Sequence, residues 1–153
     1  MTAAVVTHAP FRFSPLPAPI ATDSPSASRV TVAVDAPDAY PCRRCLNDGE
    51  PGEMMTLMSY NPFLGESPYS APGPVFVHAE GCVSFNGGRV PAQLRRRLLA
   101  VRAYDASHLM LESEIVDGNE LETIAGTMFA NPRVAYAHVH FAKAGCFAVR
   151  IDR

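Results

Sequence analysis

The chain has 153 residues, of which 48% are hydrophobic and 18% charged, and its formal net charge is −2 with an isoelectric point near 6.2. This composition predicts a globular domain with a substantial core, and the slight acidity argues against a nucleic-acid-binding protein. No apolar run reaches the length of about 18 residues that a membrane-spanning helix requires, so the sequence predicts no membrane span.

The N-terminal region differs in composition from the rest of the chain. Residues 1–28 are rich in Pro, Ala and Ser, which predicts a poorly ordered arm. Phe11 and Phe13 are expected to anchor one short strand of this arm to the body. Residues 1–20 lack a basic start before an apolar stretch, so we predict no signal peptide. A cytoplasmic protein with reduced thiols is therefore expected.

The body of the chain, residues 29–153, is predicted to form a single α+β domain with a mainly antiparallel sheet. Valines at 30, 32 and 34 alternate with smaller residues, which predicts the first strand. The next predicted elements are a loop at 41–52, a strand at 53–60, a loop at 61–73, a strand at 75–79, a loop at 81–88, a helical turn at 91–97, and a hairpin with strands at 98–104 and 109–116.

One main helix is predicted over residues 118–130, because apolar side chains recur there at helical spacing. Asp117 or Asn119 can cap its start, and Pro132 stops it. The apolar repeat consists of Leu121, Ile124, Ala125 and Met128.

Residues 134–153 predict a C-terminal β-hairpin. A three-residue loop at 143–145, with Gly145 in a left-handed conformation, puts every opposed apolar pair on one face. A four-residue loop is rejected because it would place His140 beside Phe147 and mix the two faces. The polar face then pairs His140 with Ala148, His138 with Arg150, and Tyr136 with Asp152.

Two histidines and a cysteine on this hairpin form the preferred candidate site. His138 and His140 are two residues apart on a strand, about 7 Å along the backbone, so their side chains point the same way. With Cys146 they suit a zinc or iron site with one open position, or a Cys thiolate with a His base. The alternative is a polar sheet face whose histidines are hydrogen-bonded to neighbours such as Tyr136 and Asp152.

Arginines on neighbouring strands extend this hypothesis to ligand binding. Arg102 and Arg150, together with Tyr136, are predicted to hold a small anionic ligand if they flank His138. The alternative is salt bridges to Glu112, Glu114 or Asp152.

A second candidate site combines Cys42-x-x-Cys45 with His78-x-x-x-Cys82. These four residues have a spacing that permits a structural zinc site, and the protein would then be a zinc-stabilised interaction module. Arginines beside the first two cysteines also permit a redox role, and reduced loop thiols without a function are the alternative. A third hypothesis is a metal-free, non-catalytic interaction protein that forms a homodimer through sheet edges or the arm.

Short motifs follow one another in a fixed order between residues 40 and 153. They include Pro41-Cys-Arg-Arg-Cys-Leu46, Ser67-Pro-Tyr69, Arg97-Leu-Leu-Ala-Val-Arg-Ala-Tyr-Asp105, Val116-Asp-Gly118, and His138-Val-His140 with Gly145-Cys146. Together they resemble the bacterial family called domain of unknown function 1203. The resemblance implies no activity, because none is established for the family. This chain departs from the family pattern at Cys45, where the family often has Ser.

Overall fold

The computed structural model of the protein describes residues 11–16, 29–63 and 67–153. Within these ranges eight strands form two sheets, and all pairings between the strands are antiparallel. The predicted mainly antiparallel architecture is confirmed, but the strands divide into two sheets, and the fold is largely β with one main helix. None of the helices in the described ranges is long and apolar enough to cross a membrane.

The larger sheet has five strands, in spatial order β1 (Arg12–Ser14), β8 (Phe147–Asp152), β7 (Tyr136–Phe141), β5 (Leu98–Tyr104) and β6 (Met110–Asp117). The smaller sheet has three, in the order β2 (Val30–Ala33), β3 (Met54–Tyr60) and β4 (Gly73–His78). The helical elements are α1 (Ala92–Arg95), a 3₁₀ turn (Gly118–Glu120) and α2 (Leu121–Phe129). These bounds follow the elements predicted for the body closely, and the predicted main helix is the 3₁₀ turn continued by α2.

Strand β5 illustrates how alternation positions the larger sheet. Leu99, Val101 and Ala103 are buried in the main core, whereas the alternate residue Arg102 lies on the opposite face of the sheet. Apolar residues of α2, including Leu121, pack into the same core. Each fully buried aliphatic side chain contributes about 1.5–3 kcal/mol, so this face of β5 is a major source of stability.

A second core lies between the smaller sheet and the start of β8. Met55 from β3 and Val75 from β4 are fully buried there, and Cys42 and Phe147 join them. Because Phe147 comes from the larger sheet, this cluster connects the two sheets.

The described part of the N-terminal arm belongs to the larger sheet. Phe13 pairs with Ile151 in β1 and β8, and both Phe11 and Phe13 are buried in the main core. The expected anchoring of a short strand by these two phenylalanines is confirmed. The rest of the arm predicted over residues 1–28 lies outside the described ranges.

The C-terminal hairpin is present, and its base has the predicted register. Tyr136 pairs with Asp152, His138 with Arg150 and Val139 with Val149. One face of these pairs is buried in the main core, which fixes the register.

The tip of the hairpin departs from the prediction. After Val139 the register shifts by one residue, and His140 pairs with Phe147 rather than with Ala148. The backbone N–H of Phe141 donates to the Cys146 carbonyl at 2.9 Å, so four residues form the loop. The predicted three-residue loop is wrong, because a β-bulge lets the tip and the base use different registers.

The start of the main helix depends on a glycine. A Cβ built on Gly118 would lie 1.8 Å from the Leu94 carbonyl oxygen and 2.7 Å from the Arg95 Cα, both backbone atoms. Gly118→Ala is therefore expected to destabilise the protein by at least about 1–3 kcal/mol, the usual cost of overpacking, measured as the free energy of unfolding in urea.

Gly126 provides the matched control on the same helix. A Cβ there meets nothing within 4 Å, so Gly126→Ala is expected to stabilise the protein by about 0.5–1 kcal/mol through helix propensity. Equal effects of the two substitutions would contradict the close approach of α1 to Gly118.

Candidate functional site

Three cysteines and one histidine meet beside the smaller sheet. Cys42 Sγ lies 3.7 Å from Cys82 Sγ, Cys45 Sγ lies 3.5 Å from His78 Nδ1, and all four donor atoms lie within 4.8 Å of one another. In a tetrahedral zinc site, bonds of about 2.3 Å to sulfur and about 2.0 Å to nitrogen separate two sulfurs by about 3.8 Å, and a sulfur from a nitrogen by about 3.5 Å. The four side chains therefore have the spacing of a Cys₃His zinc site.

Backbone contacts hold the Cys42–Cys45 turn against β4. The N–H of Cys42 donates to the Asn47 carbonyl, and the N–H of Arg43 donates to the Phe76 carbonyl at 2.9 Å. Directly after the turn, Leu46 adopts a φ of +57°, which costs a non-glycine residue about 1 kcal/mol or more. Leu46 is buried in the main core, and this burial stabilises the unfavourable backbone conformation.

The thiols of the cluster share their protons unequally. The pKa of Cys42 is lowered to about 4, first by a hydrogen bond from the Cys45 thiol and also by backbone N–H groups of Cys45, Arg44 and His78. The pKa of Cys45 is raised because its proton is donated to Cys42, and burial raises the pKa of Cys82. A lowered pKa at a thiol of this cluster favours binding of a cation, which would release the remaining protons.

His78 is oriented as a metal ligand usually is. Its Nδ1 faces the sulfur of Cys45, and its Nε2 lies 3.5 Å from a carboxylate oxygen of Glu53. A carboxylate on the far nitrogen of an imidazole fixes the ring and increases the basicity of the nitrogen that binds the metal.

The structure places His138 inside an aromatic cluster. Its ring centroid lies 4.8–5.2 Å from those of Phe63, Tyr104, Tyr136 and Phe147, and the residue is 0% exposed. Neither ring nitrogen has a hydrogen-bond partner among the described residues. Burial, followed by the nearby positive charges, lowers the pKa of His138 to about 3, so the ring is neutral near pH 7.

His140 and Cys146 are each bonded to other groups. The Gly145 carbonyl accepts a hydrogen bond from His140 Nδ1 at 3.0 Å, and Cys146 Sγ accepts one from Arg43 Nη2 at 3.0 Å. Within the described ranges, His138, His140 and Cys146 do not form a compact group of potential metal ligands. A catalytic role for these three residues stays a prediction.

The three predicted anion-binding residues make different side-chain contacts. Arg150 pairs with Asp152 at 2.8 Å and lies over the Tyr136 ring, which is one of the salt bridges considered as an alternative. Tyr136 Oη is 2.7 Å from His108 Nδ1. Arg102 forms no ion pair with a carboxylate in the described part of the chain. The two glutamates considered as its salt-bridge partners lie opposite core-face residues of β5 instead. In the register of β5 and β6, Glu112 is opposite Ala103 and Glu114 is opposite Val101.

The sequence profile of the family described as Protein of unknown function (DUF1203) matches residues 39–153. The chain belongs to this family. No curated protein and no solved structure gave a significant match. The DUF1203 region contains all four residues of the Cys₃His cluster and both histidines of β7, so both candidate sites belong to the family domain.

One residue of the DUF1203 region has a structural role that was not predicted from the sequence. Arg43 is only 1% exposed and donates to the Phe147 carbonyl at 2.8 Å, the Pro41 carbonyl at 2.6 Å and Cys146 Sγ. Arginine is rarely buried, and the only available signal was its place between two cysteines. Glu53 was also missed, although its position just before β3 puts it near the end of β4.

His138 is expected to make stability depend on pH. The unfolded protein binds a proton at His138 as the pH falls below 6.5, whereas the folded protein does not until about pH 3. Stability is therefore lost as the pH falls through this range, by at most about 1.4 kcal/mol per pH unit from this residue. His138→Phe, which keeps a ring in the cluster, is expected to reduce the loss between pH 7 and pH 5 in urea unfolding.

Both proteins keep the Cys₃His cluster and all other titratable groups, so the comparison isolates His138. The same pH dependence in both proteins would mean that His138 is solvated or hydrogen-bonded when folded.

Proposed function

We propose that this protein is a zinc-binding domain that holds one Zn²⁺ through Cys42, Cys45, His78 and Cys82. The observation that supports this most directly is the mutual spacing of the four donor atoms, with 3.7 Å between two sulfurs and 3.5 Å between sulfur and nitrogen. Three thiolates and an imidazole are also a donor set that zinc prefers.

We assign the metal a structural role. A catalytic zinc keeps one position for water or substrate, whereas four protein ligands close the tetrahedron. The ligands come from two segments, the Cys42–Cys45 turn and the end of β4 with its following loop. One ion would therefore cross-link these segments, and its binding free energy would stabilise the fold.

The same turn connects the metal to the larger sheet through Arg43. Its side chain bonds the Phe147 carbonyl and the Cys146 sulfur at the tip of the β7–β8 hairpin. Fixing Cys42 and Cys45 on a metal would fix Arg43 between them. The zinc is therefore proposed to set the position of the hairpin tip, and this fits a domain that presents a surface or pocket to a partner.

Metal content is the decisive test. Untagged protein purified without added metal is expected to contain one zinc per chain by elemental mass spectrometry. Cys45→Ser is expected to lose the metal and to melt at a lower temperature. Cys146→Ser is the matched control, because Cys146 is the described cysteine outside the cluster, and it should retain one zinc.

A strong chelator should lower the melting temperature of the wild type and leave that of Cys45→Ser nearly unchanged. Protein that contains no metal, takes up none from added zinc, and melts at the same temperature with chelator would overturn the proposal and favour a metal-free interaction protein. Iron in place of zinc would overturn the identity of the metal.

Removing Arg43 tests its role as a connector. Arg43→Met leaves the Pro41 and Phe147 carbonyls without their buried donor, and each such loss costs about 1–3 kcal/mol. We expect a clear fall in the free energy of unfolding with zinc still bound at one per chain. Arg133→Met, at an exposed arginine, should leave stability unchanged. Loss of the metal in Arg43→Met would instead make Arg43 part of the metal site.

A further inference from the structure

A small cavity lies on the polar face of the larger sheet, away from the cysteine cluster. Its volume is about 250 Å³, just below the range of about 300–1,000 Å³ that is typical of drug-sized ligands. The floor includes Arg102 from β5 and His140 from β7, and the walls include Phe63, Tyr69 and Phe147. The space therefore suits a ligand of roughly one ring.

Arg102 is the one permanent charge among the described residues that line this cavity. Among the described residues, none with a carboxylate lines the cavity, and Arg102 forms no ion pair within the same ranges. A guanidinium in a partly desolvated site without an anion is expensive, and it presents two parallel donors that match a carboxylate.

His140 adds a polar group without adding charge. Its Nδ1 donates to the Gly145 carbonyl, and burial lowers its pKa, so the ring is neutral near pH 7. The cavity then carries a single positive charge, which matches a monoanion better than a dianion.

The walls are aromatic on several sides. Phe63 and Tyr69 both pack against Tyr104, with ring centroids 5.1 Å and 5.7 Å apart, and Phe147 packs edge-on against His140. Aromatic rings held in fixed positions favour a flat ligand, through stacked or edge-to-face contacts.

The layer behind these walls has polar groups that the fold does not satisfy. His138 contacts the walls Phe63 and Phe147, and neither of its buried ring nitrogens has a hydrogen-bond partner in the described part of the chain. Buried polar atoms without partners are rare in native structures and mark sites where stability alone does not explain the residues present.

We propose that this cavity binds a small planar organic carboxylate, with its carboxylate on Arg102 and its ring between Phe63, Tyr69 and Phe147. The site is separate from the zinc cluster and goes beyond the structural role proposed for the metal.

The test is an NMR titration of ¹⁵N-labelled, zinc-containing protein with benzoate. Benzoate is expected to bind with a Kd of about 1 mM or tighter, as suits a ligand of this size. The shifted amide signals should cluster in β5, β7 and the hairpin tip. Benzamide, which is the same shape without charge, and inorganic phosphate, which has charge without a ring, should each bind at least about 10-fold more weakly.

Variants assign the contacts. Arg102→Met is expected to weaken benzoate binding about 10-fold or more, whereas Arg133→Met should leave it unchanged. If Arg102→Met is not folded, Tyr69→Ser replaces it, since Tyr69 is 44% exposed and can be changed without opening a core. Tyr69→Ser should also weaken benzoate binding.

Several results would overturn the proposal. One is the absence of shifts in β5 and β7 at tens of millimolar benzoate. Another is unchanged benzoate binding by folded Arg102→Met. Phosphate binding as tight as benzoate binding would also overturn it, because the aromatic walls would then contribute nothing. Zinc content measured on the same samples keeps these results separate from any failure of the metal site.

Discussion

The placement of one buried cation, Arg43, connects the parts of this structure. A guanidinium removed from water is costly unless its donors are bonded, and Arg43 meets this requirement with two carbonyls and a sulfur. Two of these acceptors belong to the hairpin tip, while the arginine itself lies between the cysteines of the proposed zinc site. The Cys₃His cluster and the hairpin are therefore linked by contacts that neither can lose without leaving buried polar groups unsatisfied.

A β-bulge at the hairpin tip decides which face several side chains occupy. In a single register, Phe147 would lie on the core face of β8. The shift after Val139 instead places Phe147 beside both His138 and His140 and in the second core. The same change creates one wall of the cavity over Arg102. A single inserted residue thus joins the two sheets and shapes the proposed ligand site.

The polar face of the larger sheet owes its chemistry to what covers it. Phe63, from the segment after β3, packs on Tyr104 and His138, so a row of residues that could have been solvated is enclosed instead. Enclosure keeps His138 neutral and leaves Arg102 beside a small cavity. Beside the cavity, the charged Arg102 then lies next to the neutral His140, which is the basis of the proposed preference for a single negative charge.

The sequence by itself determined the local structure: the strands of the body, the main helix, the register at the base of the hairpin, and the four metal-capable residues. These follow from periodicity and turn chemistry, which act between near neighbours. Only the tertiary structure decided that the strands form two sheets, that Cys42, Cys45, His78 and Cys82 converge, and that His138 is enclosed by aromatic rings. Each of these depends on contacts between segments far apart in the chain, such as Arg43 with Phe147, and hydrophobic alternation carries no information about which distant segment will cover a given face.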